Sequence, residues 1–145
     1  MIANMTSQKN RTFSRRIWGA RTLIAAVFIA NLSAALPFIL NPERFTHGFE
    51  ISGIPGEVSV RGLGVLFLMW NATYPPVIAR PGRFRMLFSV MLVQQVIGLL
   101  GETLMWWSLP AGYATLQATG MRFILFDGIG LVLLFVAFFL SRKNN

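Results

Sequence analysis

Four stretches of the chain, residues 17–40, 58–79, 86–108 and 119–140, are each long and apolar enough to cross a bilayer as a helix. A hydrocarbon core about 30 Å thick takes about 20 residues at 1.5 Å per residue. Inside lipid each segment must satisfy its own backbone hydrogen bonds. These stretches are too long and too weakly alternating to be barrel strands of about 10 residues. The pattern predicts an all-α fold, a polytopic membrane protein built as a four-transmembrane-helix bundle. In 145 residues such a bundle leaves no room for a separate soluble domain. The organisation reads as a basic tail over 1–16, a membrane domain over 17–140 and a short tail over 141–145.

The net charge of +8 is distributed unevenly. Lys9, Arg11, Arg15, Arg16 and Arg21 precede or open the first span, Arg80, Arg83 and Arg85 fill the link between spans two and three, and Arg142 and Lys143 follow the last. All ten fall on one side of the bundle, opposite Arg44, and the link over 109–118 has no Lys or Arg. By the positive-inside pattern both termini are expected in the cytoplasm. The collar suits anionic lipid head groups, at about 1 kcal/mol per basic residue. No nucleic-acid reading module accompanies it, so no nucleic-acid partner is expected. Ser14-Arg15-Arg16-Ile17-Trp18 ahead of an apolar run has some likeness to a twin-arginine signal. The run continues to Leu40, past a cleavage site, so the first span is expected to be retained.

With no cysteine and a single histidine, His47, the chain offers no disulfide, thiol relay or cysteine-held cluster. Glu43 and Glu50 near His47 sit in a loop and make a poor zinc set, so no metal is expected. No cofactor is expected beyond a bound lipid or quinone.

Along the first span Ala26, Ala30 and Ala34 recur at steps of four, a spacing that lets a second helix approach closely. In the following loop Asn41-Pro42 is a cap and first-turn pair. It predicts a short interfacial helix to about Gly48 with Phe45 and Phe49 on one face. Trp106 and Trp107 suit the outer interface and Trp18 the inner one.

The Asn41-Pro42-Glu43-Arg44-Phe45 loop, a helix opening with Arg61-Gly62-Leu63-Gly64, a short basic turn and two Gly-bearing helices together resemble the DoxX-like group of small four-helix bacterial membrane proteins. The likeness spans residues 17–140. It implies a four-helix fold in a bacterial inner membrane, and carries over no catalytic residue.

Four charged residues fall within spans away from the cytoplasmic end: Arg61, Glu102, Arg122 and Asp127. The alternating span directions put all four in the outer leaflet. A charge facing lipid costs a few kcal/mol, so each acid is expected to contact Arg61 or Arg122. Gln95, Gly98 and Glu102 share one face of span three, which Met91 and Met105 extend, and Gln94, Asn71 and Asn31 add polar groups deeper in the bundle. This stripe reads either as a polar cavity open to the outside or as interhelical hydrogen bonding. Gly62, Gly64, Gly98, Gly101, Gly128 and Gly130 either make room for a ligand or let helices cross closely.

The chain shows no nucleophile with a base, no phosphate loop and no metal cluster. The expected function is non-enzymatic, by association: an accessory subunit of a membrane assembly, with a membrane-protein partner or a second copy, or a small lipid- or quinone-binding protein. A small oligomeric transporter or channel subunit using Glu102 and Asp127 is the alternative, and a small enzyme acting on lipid the third.

Overall fold

The computed structural model describes residues 2–142, with side chains from residue 14 onward. Lys9, Arg11 and Lys143 of the basic collar lie outside the side chains so described. Five α-helices and two 3-10 turns make up the fold: α1 (Ile2–Leu40), the turns Pro42–Arg44 and Thr46–Phe49, α2 (Gly53–Asn71), α3 (Tyr74–Ala79), α4 (Arg85–Ser108) and α5 (Ala114–Leu140). Four helical stretches are long and apolar enough to cross a membrane, Ser14–Leu40, Gly53–Ala79, Arg85–Ser108 and Ala114–Leu140. The helices reach beyond the apolar runs. α1 winds back through the basic tail, and α2 and α5 begin at Gly53 and Ala114 rather than at Val58 and Thr119.

The second span is broken. Pro75 and Pro76 lack an N–H, so the carbonyls of Asn71 and Ala72 lose their helical partners. The Ala72 N–H donates to Met69 O at 3.2 Å, and the Asn71 side chain donates to Phe67 O at 2.7 Å. A side chain inserted into the backbone ladder ahead of a proline pair accounts for the kink.

The kink decides the shape of the bundle. Around its axis the order is α2, α1, α5, α4, and α3 closes the ring onto α4. At the end carrying the chain termini the helices therefore form a complete ring. At the other end, where the loops lie, the α2 and α4 backbones stand farther apart, and Trp70 of α2 packs across onto Gly98 of α4. The dry core sits in the closed half, where Ile24, Tyr74, Phe88, Met91 and Leu134 are fully buried. In lipid such a layer holds by van der Waals contact rather than by water exclusion.

The first loop holds two 3-10 turns where a short α-helix is expected, and the Asn41 side chain makes no cap bond. Phe45 and Phe49 do share a face, which packs onto Phe38 with ring centroids 4.7 and 5.9 Å away. That packing draws the loop over the bundle. It ends at Glu50, whose φ of 53° is left-handed. The Glu50 Oε1 atom accepts the backbone N–H groups of Thr115 and Leu116 at 2.9 and 3.1 Å. Tyr113, at the start of α5, supplies no side-chain bond. A carboxylate from a distant loop thus caps α5, where the helix dipole favours negative charge.

Trp18 and Trp107 are exposed at opposite ends of the bundle. Trp106 instead turns onto α5, its Nε1 donating to Gln117 O at 3.1 Å.

Candidate functional site

Above the dry core, helical periodicity on α4 turns Gln95, Gly98 and Glu102 to one side, and they meet Asp127 of α5 and Asn31 of α1. With Asn71 and Trp70 of α2 they line a cavity of about 40 Å³, enough to admit a water-sized group. Five of the polar residues singled out in the sequence, Asn31, Asn71, Gln95, Glu102 and Asp127, line this one space.

The hydrogen bonds fall into two groups, one on each side of the cavity. On one side the Asn31 side chain donates to Asn71 Oδ1 at 3.0 Å and to the Tyr74 hydroxyl oxygen at 3.3 Å, tying α1 to the kinked second span. On the other the Gln95 Nε2 atom donates to Asp127 Oδ1 at 3.0 Å and to Asp127 O at 3.2 Å, tying α4 to α5. Trp70 reaches across. A Cβ placed on Gly98 would lie 2.8 Å from its ring and 2.7 Å from Asp127 Oδ2.

Among the described residues three buried polar atoms have no hydrogen-bond partner: Glu102 Oε2, Trp70 Nε1 and Gln94 Oε1. The first two, an acceptor and a donor, belong to residues lining the cavity. An orphaned buried polar group costs about 1–3 kcal/mol, so Glu102 and Trp70 are the lining residues with hydrogen-bonding capacity left unused.

The expected ion pairs do not form. Among the described residues no arginine nitrogen comes within 4.0 Å of a carboxyl oxygen. Arg61 is exposed on α2 and Arg122 is exposed on α5, in a separate groove with Arg44. The reason is angular. On the same helix, five residues set Arg122 and Asp127 about 7.5 Å apart along the axis and about 140° apart around it. Met105 likewise points outward, 63% exposed, whereas Met91 is fully buried.

The small residues also separate by environment. A Cβ on Gly64 would lie 2.8 Å from Ala35 O, where α1 and α2 cross, and one on Gly130 would lie 3.1 Å from the Gln95 amide. Gly62 and Gly101 face open space, and Gly128 meets only Leu99 Cδ1 at 4.0 Å. Ala26 and Ala30 line a lateral groove of about 160 Å³ between α1 and α5, and Ala34 lines the central cavity. Among the described residues no group of three or more His, Asp or Glu side chains is placed to hold a metal.

Sequence reasoning missed Trp70, Tyr74 and Phe126. Phe126 borders the central cavity, the lateral groove and the groove of Arg122 alike. Its signal was available, since it adjoins Asp127 on a mapped helix. Compared with protein-family models, curated proteins and solved structures, the chain matches none.

Proposed function

We propose that this chain is a non-enzymatic membrane protein that binds the polar end of a hydroxyl-bearing lipophile, of the quinol type, in the cavity between Trp70, Glu102 and Asp127. The observation carrying the reading is the orphaned pair, Glu102 Oε2 and Trp70 Nε1, beside one small space. A hydroxyl donates one hydrogen bond and accepts one, so a single such group answers both. The lateral groove between α1 and α5 shares Asn31 and Phe126 with the cavity and offers an apolar tail a place to lie. The basic residues at the terminal end favour a cytoplasmic position for that end by the positive-inside pattern.

A conducting role has less support. The layer of Ile24, Tyr74, Phe88, Met91 and Leu134 is fully buried and separates the cavity from the terminal end.

Tryptophan fluorescence of the chain in nanodiscs, titrated with a short-tail hydroquinone, tests the proposal. Saturable quenching that disappears in Trp70→Phe and weakens at least tenfold in Glu102→Leu is expected. Equal quenching by the dimethyl ether of the same hydroquinone, which has no hydroxyl, would overturn it.

A further inference from the structure

At the loop end a second concavity, about 340 Å³, lies between the first loop and α5. Its walls are aromatic: Phe38, Phe49 and Phe123 form a mutual cluster with centroids 5.9 to 6.3 Å apart, and Phe45 packs on Phe38. Two arginines, Arg44 from the loop and Arg122 from α5, complete it. Both are exposed, and neither has a carboxyl oxygen within 4.0 Å among the described residues. Neither side chain donates a hydrogen bond to another described residue.

Arg122 is the more telling. It lies in a stretch long and apolar enough to span a membrane, where a cation without an anion costs a few kcal/mol. The chain has five acids. Glu102 and Asp127 face the central cavity, one oxygen of Glu50 is taken up in capping α5, and Glu43 and Glu57 form no ion pair with a described arginine. An acidic group from outside the chain would give Arg122 a partner. Two guanidinium groups present ten N–H donors in planar forks that suit a carboxylate or phosphate, and the phenylalanines beside them suit a hydrocarbon chain.

We propose that this groove binds an anionic amphiphile, its acidic head between Arg44 and Arg122 and the first part of its chain against Phe38, Phe49 and Phe123. Two sources share that chemistry, a free long-chain fatty acid and an anionic phospholipid of the surrounding leaflet. The site is distinct from the central cavity, although Ala34 and Phe126 border both.

The test uses the full chain in a neutral detergent, with binding of radiolabelled palmitate followed by equilibrium dialysis and adducts of phosphatidylglycerol counted by native mass spectrometry. At least one probe is expected to bind saturably. That affinity should fall tenfold or more in Arg44→Gln/Arg122→Gln and be largely kept in Arg44→Lys/Arg122→Lys. Retention of palmitate identifies a fatty-acid site, and retention of phosphatidylglycerol alone a lipid site. In the unaltered protein palmitamide, which keeps the chain and lacks the charge, should bind at least tenfold more weakly than palmitate; this arm needs no variant to fold. Binding of neither acidic probe, or equal binding of palmitamide and palmitate, overturns the proposal. Glu102→Leu should leave palmitate binding unchanged, which separates the groove from the central cavity.

Discussion

The Gln95 side chain holds Asp127 at two points, donating from Nε2 to both the carboxyl Oδ1 and the backbone carbonyl, 3.0 and 3.2 Å away. One amide thereby fixes the orientation of the acid and the register of α4 against α5. Gln95→Leu, of similar size, leaves the buried carboxyl without its donor and should lower stability by about 1–2 kcal/mol. A double-mutant cycle with Asp127→Leu, read by thermal unfolding in detergent, should return a coupling of about 0.6 kcal/mol or somewhat more, the range for hydrogen bonds between membrane helices. Additive effects would show that the pair does not hold the helices.

Glu102 should behave in the opposite sense. Its Oε2 is buried without a partner, so Glu102→Leu removes an unsatisfied group and should raise the melting temperature while weakening hydroquinone binding at least tenfold. Parallel melting and fluorescence titrations check this. A loss of both would mark Glu102 as a structural residue.

Two glycines on α4 make a matched comparison. Gly98→Ala pushes a methyl group into Trp70 and Asp127 and should cost about 1–3 kcal/mol, while Gly101→Ala meets open space and should stabilise by up to about 1 kcal/mol. Thermal unfolding of the two variants side by side measures the difference. Similar effects would show that Trp70 gives way freely at the crossing.

Glu50→Ala removes the cap on α5 from a residue 65 positions away. A loss of about 1 kcal/mol is expected, with faster amide exchange confined to the first turn of α5 as the local signature.

How much of this was legible follows from what each signal encodes. Span number and position come from hydropathy, because bilayer thickness imposes a length that composition reports directly. The convergence of Gln95, Gly98 and Glu102 came from helical period. The grouping of the four charges rested on span direction, and a shared leaflet was mistaken for proximity. Arg122 and Asp127 lie on one helix and face apart, an angle that the sequence also contains. The capping of α5 by Glu50 had no local signature, since its two halves lie on different loops. The Pro75-Pro76 pair announced a break, but not that the break would lean α3 onto α4 and hold α2 away. That outcome depends on Asn71 and Tyr74 both bonding Asn31 across the bundle.

The lateral groove between α1 and α5 changes what binding means for this protein. Within a bilayer the medium that an apolar tail displaces there is acyl chain rather than water, so every bilayer lipid is a competitor present at enormous excess. Occupancy of the central cavity then follows the mole fraction of its ligand in the membrane rather than any aqueous concentration. Titrations in nanodiscs of different sizes should therefore superimpose only when plotted per lipid.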